Sequence, residues 1–343
     1  MNGLPSRPTI RDVAREARVS VGTVSAVINQ RGYVAEETKR HVLRVIAELG
    51  FEPNSTARSL KRGRISSIGF VVPDLGNPFF AAVAEGIQQG IAENDILLML
   101  CITNSQTERE EYYARIMRTR RLDGVIYLSG SGFPSPSLLE LTKTGAVVFV
   151  DEILAGIETP SVSSNNLAGA RAIARHVIDH GHRRLAIIGG PQRLWTSEQR
   201  LAGFRESIAA AGFDPDRAAY VGGDYGEQSG YRGAAALLSG DRSRRPTAIL
   251  CANDLMAIGV MRYCREAGIA IPGDLSLTGF DDIAGAEFLQ PALSTVAQPA
   301  HEMGKAAARL LLHRVGVRAA PPETVRFMTT ARIRDSVAAP ARS

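Results

Sequence analysis

The chain has 343 residues, 45% hydrophobic and 22% charged, which is room for two or three cored domains and far from the composition of a disordered chain. No apolar run reaches the ~18 residues of a membrane span. The N-terminus shows no apolar stretch followed by a small-residue cleavage site, so a cytoplasmic protein without a membrane partner is expected. Residues 1–64 hold 12 Lys and Arg against 6 Asp and Glu, out of 40 and 35 in the whole chain, so the excess positive charge is confined to one end.

That basic end carries the first elements. Ile10, Val13, Ala14 and Ala17 recur at helical spacing, and Thr9 with Asp12 three residues on makes a capping-box-like start. Arg18 to Ser20 interrupts the helix, and Ser20 is the N-cap of a second one running from Val21 to about Asn29, with Val24, Val27 and Ile28 on its inner face. Two helices joined by so short a turn predict a helix-turn-helix. In that motif the start of the second helix enters the major groove of DNA, which makes Val21, Gly22 and Ala26 the outward candidates for base contact. None of the three can form a bidentate hydrogen bond, although Val21 and Ala26 can touch a thymine methyl. Polar contacts to phosphates and base edges therefore fall to Thr23, Ser25 and Asn29, with Thr9 and Ser20 at the helix starts.

Ala35 to Leu49 continues as a third helix with an apolar stripe of Val42, Val45, Ile46 and Leu49, and Gly50 ends it. Next comes Pro53-Asn54-Ser55-Thr56-Ala57-Arg58-Ser59-Leu60-Lys61-Arg62, a capped segment of barely two turns. Its one large apolar residue, Leu60, stands in a strongly basic setting. It is either a core residue or a wedge between base steps of the minor groove, in an element that folds on DNA.

From Ile65 onward apolar strand-like runs alternate with helical stretches: SIGFVVPD, FFAAVAEGIQQGIAEN, ILLMLCITNS, a helix near Glu108 to Thr119, GVIYLSG and VVFVDE. A second series starts near Leu167 with a helix to His180, LAIIGG, helices from Glu198 to Ala211 and Glu227 to Leu238, TAILCAND, a helix to Ala267, and LSLTGFDD. Such alternation implies parallel sheets with helical crossovers, and two series imply two α/β lobes. Cys101, Cys251 and Cys264 read as reduced, mostly buried thiols. His176, His180 and His182 have a superficial metal spacing, but Gly181 closes a helix there and histidine is favoured near a helix C-terminus. No metal or other cofactor is expected.

Ligands of doubly wound sheets bind outside the carboxyl ends of the strands, here in the cleft between lobes. The strand-end candidates are Asp74 and Asn77, Asp151, Asn253 and Asp254, and Asp281 and Asp282, although the same residues serve as turn formers and helix caps. Arg200 is expected at the start of the QRLAGF helix, and Trp195 in the loop before it, either over the cleft or at a surface contact. The sequence has no P-loop, no G-x-S-x-G elbow and no HExxH, and an enzyme would leave the basic N-terminal device without a role.

Residues 9–62 resemble the headpiece and hinge of the LacI family of bacterial transcription repressors, through DVA, VS-x-x-TVS, VIN, ETK, LGF-x-PN and ARSL. The resemblance extends over essentially the whole chain through VPDLGNPFF, RLDGVIYLSG, GHRRLAIIGG, QRLAGF, CANDLMAIGVMR, IPGDLSLTGFDD and RDSVA. It implies an α-helical helix-turn-helix headpiece (8–52) and a hinge helix with linker (53–64), followed by a two-lobed α/β effector domain like periplasmic sugar-binding proteins. The lobes would comprise 65–163 plus 296–327 and 164–295 plus 328–343. It places Leu60 as the minor-groove wedge with Ala57 beside it and Asn54 at the start of the hinge helix. Asp151, Arg200, Asn253 and Asp281 fall at effector-contacting positions, with Phe79, Phe80 and Tyr225 as walls. Asp74 joins them from its strand-end position.

The function implied is a regulator, usually a repressor, whose affinity for double-stranded operator DNA is switched by a small molecule. Carboxylates, one arginine and ring faces suit a ligand with many hydroxyls, so a sugar or sugar derivative is the first choice and a purine or nucleoside corepressor the alternative. A secreted solute-binding protein, which the second part alone would resemble, is disfavoured by the headpiece. The sequence departs from the family at Val21, Gly22 and Ala26, where many members carry larger polar side chains. The C-terminus ARIRDSVAAPARS lacks sustained leucine heptads, so a homodimer is expected rather than a coiled-coil tetramer.

Overall fold

The computed structural model describes residues 8–29, 32–51, 65–120, 122–316 and 324–341. Asn54, Ala57 and Leu60, expected to contact the minor groove, lie outside the described residues. The chain divides into two compact units, 1–66 and 67–343.

The first unit is a three-helix cluster of α1 (Ile10–Glu16), α2 (Val21–Asn29) and α3 (Glu36–Leu49). Thr9 and Asp12 close the expected capping box: the Thr9 amide donates to the Asp12 carboxylate at 2.9 Å and the Asp12 amide to the Thr9 hydroxyl at 3.4 Å. The chain leaves α1 through Arg18, in the left-handed region at φ 52°, and Ser20 accepts from the Thr23 amide at 3.0 Å. Gly50, at φ 60°, ends α3 where a side chain would be strained. Val13, Ala14, Ala17, Val24, Val27, Val42, Val45 and Phe51 form the buried core. So small a core leaves little margin for cavities.

The second unit contains two parallel sheets. The first has strand order β11-β5-β4-β3-β1-β2, from β1 (Ser67–Val72), β2 (Leu97–Ile102), β3 (Gly124–Tyr127), β4 (Val147–Val150), β5 (Ser161–Ser164) and β11 (Thr324–Phe327). The second has order β7-β6-β8-β9, from β6 (Leu185–Gly189), β7 (Ala219–Gly222), β8 (Ala248–Cys251) and β9 (Ser276–Thr278). An antiparallel pair, β10 (Thr295–Ala297) and β12 (Thr330–Arg332), continues beside β9 through bridges from Thr278 to Ser294 and Asp281 to Ala297. The inner strands are buried along their whole length, as expected for sheets covered by helices on both faces.

The chain therefore passes between the sheets three times, after Ser164, after Ala297 and after Phe327. The three passes are laced together: the Asn165 amide donates to the Phe327 carbonyl at 2.9 Å, the Thr329 hydroxyl to the Asn165 carbonyl at 3.1 Å, and the Ser164 hydroxyl to the Gln298 side-chain oxygen. After the second pass α11 (Ala300–Arg314) returns to the first sheet and packs on α4 (Pro78–Ile91). Gly86 and Gly304 allow the two backbones to touch; a Cβ on Gly304 would fall 2.2 Å from the Val83 carbonyl oxygen.

Cys101, Cys251 and Cys264 are free and buried, and burial pushes the Cys101 thiol up to about 11. His182 is buried between the Thr247 hydroxyl at 2.9 Å and the Ala338 carbonyl at 2.8 Å. Among the described residues no group of His, Cys, Asp or Glu could hold a metal ion, and no helix is long and apolar enough to cross a membrane.

Candidate functional sites

In the first unit the start of α2 is its solvent face: Ser20, Val21 and Gly22 are exposed, with Val21 at 43%. Thr23, Ser25, Ala26 and Asn29 are half-buried, and Thr9 is exposed at the start of α1. The polar candidates are arranged in pairs. The Ser20 and Thr23 hydroxyls lie 2.9 Å apart, and the Asn29 amide donates to the Ser25 carbonyl at 2.8 Å and to its hydroxyl at 3.2 Å. These pairs orient the four polar side chains of α2 and its cap, and Val21 stands exposed at the start of the same helix.

In the second unit a cavity of about 320 Å³ opens at the carboxyl ends of strands from both sheets. All eight effector candidates line it: Asp74, Phe79, Phe80 and Asp151 from the first lobe, and Arg200, Tyr225, Asn253 and Asp281 from the second. Phe79 and Phe80 start α4 behind the Asn77 cap, whose side chain accepts from the Phe79 amide at 3.0 Å, and their rings meet edge-on at 5.8 Å. Asp74 caps the same turn, accepting from the Asn77 amide at 2.8 Å.

Arg200 is the centre of the second-lobe wall and only 3% exposed. Its Nε donates to the Asn166 side chain at 2.7 Å, and its Nη1 to the Ala252 carbonyl at 2.6 Å and towards Asp281 at 3.1 Å. The guanidinium also lies over the Phe280 ring at 4.0 Å and the Tyr225 ring at 5.4 Å. Asp281 accepts a further bond from Gln298 Nε2 at 2.7 Å. Arg200 and Asp281 thus hold the first and second passes between the sheets through Asn166 and Gln298.

The helix that carries Arg200, α8 (Trp195–Ala210), begins three residues before the expected Glu198. Arg200 therefore sits in the second turn and not at the start. Trp195 is the first helical residue and does not line the cavity; Arg326 of β11 stacks over its ring at 6.0 Å. Asn253 lines the cavity, yet its amide is occupied: its oxygen caps α10 (Asp254–Glu266) by accepting from the Met256 amide at 3.0 Å, and its nitrogen donates to the Tyr225 carbonyl at 2.9 Å. Asp254 is turned into the core, where it accepts from Thr295 at 2.5 Å and the Ile283 amide at 2.9 Å, and Asp282 is bonded to Arg334 at 2.7 Å. Those two are structural.

Asp151 is different. It is 5% exposed, and its Oδ1 is buried without a hydrogen-bond partner. Its backbone, with those of Tyr225 and Asp281, is in the left-handed region, at φ 65°, 67° and 111°. Such strain at three residues facing one cavity marks a place where side-chain direction outweighs local comfort. Burial raises the Asp151 carboxyl to about 7 against the pull of Arg200, with Asp281 adding to the rise. Burial and then the neighbouring Asp151 raise Glu152 to about 8. Glu152 reaches across the cleft to the second lobe, accepting from the Thr196 amide at 3.3 Å and from its hydroxyl, which lies 3.2 Å from the Tyr225 hydroxyl.

Two residues escaped the sequence reading. Glu152 was quoted only as the end of a strand run. Glu110, on α5 (Thr107–Arg120), is fully buried and gathers the loop after β3: it accepts from Tyr127 at 3.0 Å, the Gly130 amide at 2.8 Å, the Ser131 amide at 3.0 Å and hydroxyl at 2.8 Å, and Ser129 at 3.2 Å. Ser129 and Gly130 are cavity wall. The tip of the same loop meets the second lobe, where Gly132, at φ 73°, packs on the Arg193 carbonyl and Arg193 stacks over Phe133 at 4.6 Å. The signal was present, since Glu110, Ala114 and Met117 share one helical face, an acid on an apolar stripe.

Comparison with known proteins places both units. Residues 9–54 match the family described as bacterial regulatory proteins, lacI family, and residues 174–337 match a periplasmic binding protein-like domain. The HTH-type transcriptional repressor PurR of Escherichia coli O1:K1 / APEC is 34% identical over 320 residues, covering 92% of this chain and 93% of the relative. A transcriptional regulator CelR–cellobiose complex is 30% identical with a TM-score of 0.71, covering 96% of this chain and all of that one. A LacI family transcriptional regulator from Enterococcus faecium with bound ribose is 28% identical with a TM-score of 0.72, covering 80% and 99%.

Proposed function

Because the chain belongs to the lacI family of bacterial regulatory proteins, we propose that its operator affinity is set by a hydroxyl-rich small molecule, a sugar or sugar derivative, held in the cavity between the lobes. The observation that carries the reading is the convergence of Asp151, Arg200 and Asp281 on that cavity, with Asp151 Oδ1 lacking a partner. Carboxylate oxygens accept from ligand hydroxyls, the guanidinium donates to ring and hydroxyl oxygens, and Phe79, Phe80 and Tyr225 cover C–H faces. Asp74, Asp151, Glu152, Asp224 and Asp281 face the cavity with Arg200 as its only basic lining residue among the described residues, which disfavours phosphorylated and carboxylated ligands. Similar regulators whose solved structures hold cellobiose and ribose support the same class.

The molecule acts as a homodimer that places two headpieces on a two-fold operator, with Val21, Gly22 and Ala26 at the bases and Ser20, Thr23, Ser25 and Asn29 at phosphates and base edges. Leu60 is the central wedge of that reading, with Ala57 beside it and Asn54 at the start of the hinge helix. The lobes are taken as 65–163 plus 296–327 and 164–295 plus 328–343, and Arg200 and Asp281 couple ligand occupancy to their relative position through Asn166 and Gln298. A ligand shifts the DNA affinity only by its different affinity for two lobe arrangements.

The direct test is a thermal-melt screen of the purified full chain against sugars, sugar acids, sugar phosphates, nucleosides and purines. A specific ligand raises the melting temperature by mass action. Stabilisation by neutral or amino sugars that Asp281→Ala removes supports the reading. Stabilisation confined to purines, stacked between the ring faces, would replace the ligand class while leaving the regulator.

A further inference from the structure

The acidic balance of the cavity goes further than a preference for hydroxyls. The arginine of its lining, Arg200, is bonded to Asp281, Asn166 and the Ala252 carbonyl, so among the described lining residues one positive charge faces the three buried carboxylates of Asp151, Glu152 and Asp281. The adjacent acids Asp151 and Glu152 are both nine-tenths buried or more, and Asp151 Oδ1 has no donor. Glu152 is held in place by Thr196, and the exposed Asp224 and half-buried Asp74 add two more carboxylates to the lining. A ligand hydroxyl brings one donor and no charge to this pair. An ammonium group brings three donors and the missing positive charge.

Resting on the assignment of the cavity as the effector site, we propose that the effector carries a primary amino group among its hydroxyls, as an amino sugar or amino polyol does, and that its ammonium is bound by the carboxylates of Asp151 and Glu152. The groups that face this pair are Arg200, Asp281 and Tyr225; burial keeps the Tyr225 phenol neutral, Arg200 pulls both acids towards ionisation, and Asp281 opposes it at Asp151. In the empty cavity burial favours protonated Asp151 and Glu152, whereas the ammonium favours their ionised forms. Binding therefore releases protons, and affinity climbs as pH rises through about 7 to about 8.

The test is isothermal titration calorimetry on the full chain with matched triads: glucosamine, glucose and N-acetylglucosamine, and the corresponding galactose and mannose sets. The N-acetyl member keeps the shape and removes the charge. The proposal predicts that at least one amine binds about tenfold or more tighter than both neutral partners, a difference of ~1.4 kcal/mol. That advantage should grow between about pH 6 and pH 8.5, with buffer-dependent heats that report proton release. Asp151→Asn and Glu152→Gln should each abolish the advantage, two separate isosteric changes checked for folding by their melting curves. A neutral sugar that binds as tightly as its amine overturns the amino group and leaves the sugar reading in place. Failure of every amine to bind at millimolar concentration overturns the proposal, and if purines alone bind, the sugar reading falls with it.

Discussion

Asp151 and Glu152 hold protons in the folded protein that they give up in the unfolded chain near pH 4. Where the native state binds more protons, stability declines as pH rises. The unliganded protein should therefore lose stability between about pH 5 and pH 8, by at most roughly 1.4 kcal/mol per pH unit for each group. Asp151→Asn should flatten that slope, and denaturant melts across the pH range measure it; a slope unchanged in the variant would mean that Asp151 is ionised in the empty cavity. In the headpiece, Ser20→Ala removes the acceptor for the Thr23 amide and should cost about 1 kcal/mol, read from the melting of the headpiece alone or in the full chain. At this scale the sequence was legible where local chemistry decides, as at Thr9, Ser20 and Gly50. Strand-end position put Asp151 and Asp281 among several candidates, and the family pattern was needed to single them out together with Arg200. The orphaned Oδ1 of Asp151 depends on which donors long-range folding brings near it, and no spacing along the chain encodes that.

Elements hold the cavity in shape. Glu110 on α5 terminates the donors of the loop from Ser129 to Ser131, so Glu110→Ala would leave two backbone N–H groups without their acceptor, and each buried N–H left unpaired costs about 1–3 kcal/mol. Effector affinity should fall about tenfold or more as that wall loosens, measured by calorimetry, and the melting temperature should fall with it. Gln298 has another role, joining Asp281 to Ser164 at the passes between sheets. Gln298→Leu should leave effector affinity within a few-fold of the parent and reduce the effect of the ligand on operator binding; full coupling in the variant would remove these passes from the switch. Alternation of strand and helix patterns revealed most strands of both sheets and most helices, but not β5, β7, β11, the helix Pro136–Thr142 or α11. The start of α8 was missed because Trp195 and Thr196 carry no capping signal: Leu194 precedes them without a side-chain cap, and the helix is held there by burial of Thr196 and Ser197.

At the scale of the molecule, positive charge, helix-turn-helix and exposed Val21 coincide in the first unit, while the acidic cavity lies within the second. Operator binding should accordingly weaken steeply with salt, since Lys and Arg displace counterions from phosphates, whereas effector binding by the buried groups of the cavity should change little. The two-lobed design was legible in the order of motifs, whereas three passes between the lobes were implied by the family resemblance alone, because nothing local in Gln298 or Thr329 announces that the chain crosses there. In the proposed switch the cavity of Asp151, Arg200 and Asp281 controls DNA binding. Fluorescence anisotropy on an operator recovered by in vitro selection, titrated with protein in the presence and absence of the stabilising ligand, tests it in parent and Asp281→Ala chains. The account predicts a ligand-dependent shift in operator affinity of about fivefold or more in the parent and none in the variant, within the usual range of allosteric coupling. An equal shift in both, or no shift in the parent with a ligand that demonstrably binds, would contradict it.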